Sequence, residues 1–281
     1  MILTQTGGRL AGQVALITGA GRGIGRAAAR KLAADGARLI LNDLDPDPLA
    51  EAAAGIRAAG GLVETHAGDA GHADFGETMV QLALDAFGGV DIVVNNAGYS
   101  WDNVIQKTTD EQFQTMLEVH CLSSFRLLRA AIEPMRIAAK REAEGGAARH
   151  RKVVNVSSLS GIFGNAGQVG YASAKAAIVG MTKTLAKEWG RYRINVNAVA
   201  FGHIATRLSQ PMDTTEAETR IGERTIRLGI PRVAAENSAA FIPLGRVGTV
   251  EDAAGGIWLL CQPEADYVTG HVLEVSGGLA F

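Results

Sequence analysis

The chain has 281 residues, of which 47% are hydrophobic, and its 27 Lys and Arg against 29 Asp and Glu leave a formal net charge of −2. Without a basic excess to neutralise a phosphate backbone, nucleic acid is not an expected partner. No apolar run reaches the ~20 residues that cross a bilayer, so no membrane is expected either.

The first short apolar run, Val14–Thr18, reads as a strand and is followed by a helix from Ile24 to Asp35. Arg38–Asn42 is the next strand, then a helix from Pro48 to Ala59. Leu62–Ala67 is a third strand, with a helix over Ala73–Phe87. Ile92–Asn95 is a fourth, leading into a long helix from Asp110 to Ala143. Val153–Ser157 is a fifth, with a helix over Tyr171–Trp189, and Ile194–Ala198 is a sixth. A helix at Val250–Leu260 and a strand at Val272–Val275 close the pattern.

Strands that alternate with helices of this length need crossover connections, hence a parallel sheet. The strands are continuously apolar, as when helices cover both faces. The expectation is an α/β doubly wound sheet forming one domain over residues 1–281, with ligands beyond the carboxyl ends of its strands. Two regions lack clear patterning. Glu144–Arg151 reads as a mobile loop, within a basic stretch, Lys140–Lys152, taken as a solvated helix end. Gly202–Gly248 shows only weak helical patterning, around Thr214–Leu228. It has the length of a substrate-covering lid or of a variable surface connection.

Thr18-Gly19-Ala20-Gly21-Arg22-Gly23-Ile24-Gly25 follows the first strand and opens the first helix. Glycines there let backbone approach a pyrophosphate, and the helix N-terminus supplies N–H groups and positive potential for it. This context makes Gly19, Arg22, Gly23, Ile24 and Gly25 candidate dinucleotide contacts. Asp43 ends the second strand, eighteen positions past Gly25. A carboxylate there accepts hydrogen bonds from ribose hydroxyls and repels a 2′-phosphate, which favours NAD. Arg22 could hold such a phosphate, so NADP stays open, and Asp43 can equally be a turn residue. Asp69, ending the third strand, could hold an adenine amino group or cap the following helix. Asn95-Asn96-Ala97-Gly98 closes the fourth strand, and Asn95, Ala97 and Gly98 are small or amide residues that a cofactor can pass.

Tyr171 and Lys175, at i and i+4, share a helix face. A tyrosine, with a reference pKa near ~10, is a poor base at neutral pH; a nearby ammonium favours the phenolate. Ser158, thirteen residues before Tyr171, can hydrogen-bond a substrate oxygen and steady its developing charge.

The ordered set TGAGRGIG, NNAG, VNVSS, YASAK and VTGHVLEVSGG resembles the short-chain dehydrogenase/reductase family from about Gly12 to Gly278. The resemblance implies a Rossmann-type sheet of seven strands, a nicotinamide cofactor and a homotetramer or homodimer. It implies hydride transfer between NAD(P) and a secondary alcohol or ketone; the two isolated cysteines and the lack of a membrane-length apolar run suit a soluble cytoplasmic protein. Tyr171 is then the general acid/base, Lys175 lowers its pKa and holds the nicotinamide ribose, and Ser158 positions the substrate oxygen. Gly202, Ile204 and Thr206 match the turn beside the carboxamide, although the family's usual Pro-Gly is Phe201-Gly202 here. A family asparagine that relays protons is replaced by His120, which would titrate near neutrality or simply pack.

The segment Gly161–Gln168, His120 and the Asn42-Asp43-Leu44 strand end resemble hydroxyacyl-CoA dehydrogenase domains; related bacterial chains are called 3-oxoacyl carrier-protein reductases. A 3-hydroxyacyl thioester or a steroid-like alcohol is the implied substrate class. An epimerase or dehydratase with retained NAD, and a non-catalytic NAD-binding regulatory or scaffold protein, remain as other classes. The six histidines form no HxxxH or HxH set, so no metal is expected. Cys121 and Cys261 form no CxxC pair, and both are expected as free thiols.

Overall fold

The computed structural model describes residues 8–146, 148–209, 218–221, 224–227, 229 and 238–279. Seven strands form one parallel sheet: β1 (Val14–Ile17), β2 (Arg38–Asp43), β3 (Val63–Ala67), β4 (Ile92–Asn95), β5 (Arg151–Ser158), β6 (Ile194–Phe201) and, after a short hairpin, β9 (Val272–Val275). Their order is β3-β2-β1-β4-β5-β6-β9. The order reverses between β1 and β4, which run side by side from Ala15–Ile92 to Ile17–Val94. A crevice opens at such a reversal because the connections leave it on opposite faces.

The strands sort their side chains with period two. Ala15 and Ile17 of β1 enter one core with Leu39 and Leu41, while Val14 and Leu16 enter the other with Ile40. Helices α1 (Gly23–Ala34), α2 (Pro46–Ala58) and α8 (Val250–Cys261) cover the first face. On the second lie α3 (Phe75–Phe87), α5 (Ser123–Glu144) and the end of α7 (Val169–Trp189). Each large apolar side chain removed from water there contributes roughly 1.5–3 kcal/mol.

The structure corrects three expectations. The helix expected over Asp110–Ala143 is α4 (Asp110–Leu117) and α5 joined by a π-helical turn, Glu118–Leu122. Such a turn inserts a residue into the helical ladder and rotates the helix beyond it. Lys140–Lys152 is not solvated throughout, and the loop expected over Glu144–Arg151 is anchored at Arg149 and Arg151. Arg151 is 1% exposed and gives 2.8 and 3.1 Å hydrogen bonds to the Glu142 carboxylate. Arg149 donates to Asp91 Oδ1 at 3.0 Å, and Lys152 pairs with Asp266 at 2.6 Å. The burial of Arg151 and Lys152 is tolerated because carboxylates from elsewhere in the chain meet them. The helical patterning at Thr214–Leu228 gives way to an antiparallel pair, β7 (Glu218–Ile221) with β8 (Arg224–Arg227). Residues 214–217, 222, 223 and 228 lie outside the described residues.

Candidate active site

A cleft of about 1350 Å³ runs along the carboxyl ends of the strands. Its floor is the turn from β1 into α1. A Cβ on Gly25 would stand 2.1 Å from the Gly19 carbonyl oxygen, so only glycine lets that turn close. The first turn of α1 has neither a side-chain cap nor an acidic residue. Its N–H groups and positive dipole end are therefore left for an anion. The Gly19, Arg22, Gly23, Ile24 and Gly25 positions all line the cleft, and this cradle fits a dinucleotide pyrophosphate.

Asp43 lines the same cleft; its Oδ2 accepts the Gly21 N–H at 2.8 Å and its Oδ1 the Asp45 N–H at 3.1 Å. The carboxylate thus braces the glycine loop as well as facing the cleft. Arg22 is ion-paired with Asp45. Asp69 lines the cleft and accepts the Gly71 N–H at 2.8 Å, so it caps a turn ahead of α3 rather than the helix itself. Ala97, Gly98, Gly202, Ile204 and Thr206 also line the cleft.

Asn95 is placed differently from the expectation. Its side chain turns into the sheet and donates to Asn155 Oδ1 at 2.8 Å. Asn155 in turn donates to Thr182 Oγ1 at 2.9 Å. The neighbouring Asn96 lines the cleft instead, donating to the Thr18 and Gly19 carbonyls at 2.9 and 3.0 Å. Alternation along a strand puts adjacent residues on opposite sides, and nothing in NNAG tells which asparagine faces out.

Strand β5 ends at Ser158, which also starts the short helix α6 (Leu159–Phe163) by accepting the Ser160 N–H at 3.1 Å. Tyr171 and Lys175 come from the first turns of α7, and all three line the cleft. The Ser158 hydroxyl faces the Tyr171 phenol and favours its ionised form. Lys175 Nζ lies 5.6 Å from the centre of the Tyr171 ring and donates to the Val156 carbonyl at 2.8 Å.

Protonation here departs from the expectation raised by the Tyr171–Lys175 spacing. Burial pushes Tyr171 up to about 12; the Ser158 hydrogen bond pulls it down and the Asp102 charge adds to the rise. Burial pushes Lys175 down to about 7. Enclosure costs both charged forms more than the distant partner returns. The lysine is thus an ammonium ready to give up its proton, and the phenol rests protonated.

His120 sits in the π-helical turn, 3% exposed, with its ring edge-on to Tyr171 at 5.2 Å. Its Nε2 meets the Tyr99 carbonyl at 2.7 Å. A carbonyl only accepts, so Nε2 bears the hydrogen and Nδ1 is the free acceptor. That Nδ1 is buried without a hydrogen-bond partner among the described residues. Burial and then Lys175 hold the imidazole well below its ordinary value. It is a neutral group at physiological pH, not one titrating near neutrality. A Cβ on Gly98 would come within 2.1 Å of its Cε1, so Gly98 makes room for the ring.

Sequence reasoning missed Asp102, Ser160 and Gln168. Gln168 Nε2 donates to Asp102 Oδ2 at 2.5 Å, and Ser160 Oγ donates to Gln168 Oε1 at 2.8 Å. No spacing signal links positions so far apart. Among the described residues no cluster of His, Cys, Asp and Glu could hold a metal, and no helix is long and apolar enough to cross a membrane.

A family model described as short chain dehydrogenase matches residues 13–217. The short-chain reductase protein NovJ of Streptomyces niveus is 37% identical over 265 residues, covering 94% of this chain and 93% of that one. A 3-oxoacyl-[acyl-carrier-protein] reductase FabG of Thermotoga maritima is 34% identical, covering 96% and 99%. Among solved structures, a 7α-hydroxysteroid dehydrogenase complexed with NADH and 7-oxo glycochenodeoxycholic acid superposes with a TM-score of 0.83 at 26% identity, covering 97% and 96%.

Proposed function

The chain belongs to the short-chain dehydrogenase family and is a nicotinamide-dependent oxidoreductase acting between hydroxyl and ketone; we propose that Tyr171, Lys175 and Ser158 carry its proton chemistry on a 3-hydroxyacyl thioester or steroid-like alcohol, with NAD preferred. The observation that carries this reading is that Ser158, Tyr171 and, one turn further along α7, Lys175 line the same cleft as the glycine cradle.

When bound, the nicotinamide supplies or takes up the hydride. The glycine cradle and the α1 N-terminus would hold its pyrophosphate, Asp43 the adenosine ribose and Asp69 the adenine, and Ala97, Gly98, Gly202, Ile204 and Thr206 would contact the remainder. In ketone reduction the protonated Tyr171 phenol gives its hydrogen to the substrate oxygen, and Ser158 donates a second hydrogen bond to it. In alcohol oxidation the phenolate takes that proton, and Lys175 stabilises the phenolate. His120 Nδ1 is the acceptor at the inner end of the proton path, in the place of the family asparagine.

The NAD preference rests on Asp43 at the β2 end and on Asp45, which engages the glycine-loop cation Arg22. The substrate reading rests on the relatives' reactions and on an apolar wall. Phe201, Leu208 and Phe241 line the cleft, and Phe241 is 72% exposed toward its mouth. The 202–248 region, of which Gly202, His203, Ile204, Thr206 and Phe241 line the cleft, is the substrate loop of a single domain over residues 1–281. Exposed Leu122 in the π-helical turn, Phe125 in α5, Leu259 in α8 and Tyr267 ahead of β9 support assembly into a homotetramer or homodimer, which light scattering tests.

The deciding experiment is nicotinamide turnover by wild type and Tyr171→Phe, with NAD and NADP, against 3-hydroxyacyl-CoAs, hydroxysteroids and simple secondary alcohols. Activity that needs Tyr171 and prefers NAD with one of the first two classes is expected. Turnover that survives Tyr171→Phe would overturn the assignment.

A further inference from the structure

Behind Ser158 and Tyr171 stands a carboxylate that belongs to no motif. Asp102 lies in the segment following Asn96–Gly98. Its Oδ2 accepts the Gln168 amide N–H at 2.5 Å. Its Oδ1 is buried without a hydrogen-bond partner among the described residues.

Gln168 spreads this contact in two directions. Its Oε1 accepts from Ser160 Oγ at 2.8 Å and from Asn165 Nδ2 at 3.0 Å. The Ser160 N–H donates to Ser158 Oγ at 3.1 Å, so one branch ends on the proposed substrate-positioning hydroxyl. Gln168 is also the N-cap residue immediately before α7, and its carbonyl accepts the Ala172 N–H at 2.7 Å. The other branch therefore ends on the helical turn that presents Tyr171. A parallel bridge between Asn103 and Gln168 ties the two segments through backbone as well.

We infer that Asp102 is a positioning residue for the proton-transfer pair: through Gln168 it fixes the Ser158 hydroxyl and the Tyr171 turn. This rests on the proposed roles of Tyr171 and Ser158. Among the described residues Lys175 from its own helix and neutral His120 from the π-helical turn lie against the Tyr171 ring, with the Ser158 hydroxyl from β5 beside the phenol. Asp102, linked to this group through Gln168, brings to it a negative charge that disfavours the phenolate. It keeps the phenol in its hydrogen-donating form, which suits ketone reduction. Burial raises the Asp102 carboxyl above its ordinary range while Gln168 pulls it down. Its own protonation at low pH would therefore ease the opposition.

The geometry separates position from charge. Asp102→Asn keeps an oxygen that accepts from Gln168 and removes the charge. Asp102→Ala removes both, and Gln168→Ala cuts the link and leaves the charge. The probes are acetoacetyl-CoA reduction, the 7-oxo bile acid reaction, and the tyrosinate absorbance of each protein with that of its Tyr171→Phe counterpart subtracted. Asp102→Ala and Gln168→Ala are expected to lower kcat at least tenfold with little change in KM for the cofactor. Asp102→Asn is expected to recover most of that loss and to move the Tyr171 titration, and the basic limb of kcat, to lower pH by about one unit. Equal kcat losses in Asp102→Asn and Asp102→Ala with an unmoved Tyr171 titration would overturn the proposal, as would wild-type behaviour in all three variants. Because the absorbance titration needs no turnover, inactivity of the wild type on both substrates counts against the function above and leaves the charge effect decided on its own.

Discussion

The two ends of strand β5 bury ionisable groups in opposite ways. At its start, Arg151 and Lys152 are almost fully buried, and each meets a carboxylate: Glu142 for one, Asp266 for the other. Asp91 joins them, taking Arg149 on Oδ1 and the Val14 N–H on Oδ2 at 2.9 Å. Around its finish, Lys175 is equally buried but has a carbonyl for a partner, His120 Nδ1 has none among the described residues, and Tyr171 has a serine. Buried charge with counter-charge ties elements together. Buried ionisable groups without it have their proton affinities displaced, which suits them to the proton transfer proposed for them.

The sharpest test of this contrast is a pair of variants. Tyr171→Phe is expected to lower kcat by about 10²–10⁴-fold, the usual worth of a general acid/base, with thermal unfolding unchanged. Arg151→Ala is expected to do the reverse. Leaving Glu142 and Asp91 partly unpaired costs about 3–5 kcal/mol in urea unfolding, while kcat per folded molecule stays at the wild-type value. A kinetic defect in Arg151→Ala would erase the distinction between the two ends.

Smaller effects refine it. His120→Asn should keep most of the activity and His120→Ala should lose much of it; equal, near-wild-type rates in both would remove His120 from the proton path. Lys175 carries a stability cost whose sign is fixed. Its folded pKa is about 7 against 10.5 unperturbed, so the unfolded chain binds more protons between those values. Stability from this group therefore rises as pH climbs from about 7 toward 10.5 and is lowest below 7. Lys175→Met, inactive as it would be, should melt higher than wild type at pH 7, by roughly 2–4 °C per kcal/mol recovered. That advantage should fade by pH 10 in a series of melting curves. The smallest effect is at the cofactor mouth. Asp43→Asn should reduce the NAD over NADP preference about tenfold, the worth of roughly 1.4 kcal/mol, with kcat on NAD nearly kept.

The parallel sheet, the glycine turn and the Tyr171–Lys175 pair were legible because each depends on neighbours in sequence. Strand periodicity, a Gly-rich turn and an i,i+4 spacing are local facts, and local geometry makes them visible. The burial of Arg151 and Lys152 was not legible, since Asp91 and Asp266 lie 60 and 114 positions away from the cations they meet. The π-helical turn that aims His120 left no mark in the apolar pattern. The choice of Asn96 over Asn95 waited on which face of β4 looks into the cleft. Asp102 and Gln168, 66 positions apart, were joined only when β4 and α7 came together.

The scaffold and the identity of the candidate reacting groups are written along the chain, because short-range sterics and hydrogen bonding select them residue by residue. Their proton affinities and their supports arise only on folding. Both depend on how much water is excluded and which charges arrive from elsewhere in the chain, and these are properties of the packed molecule.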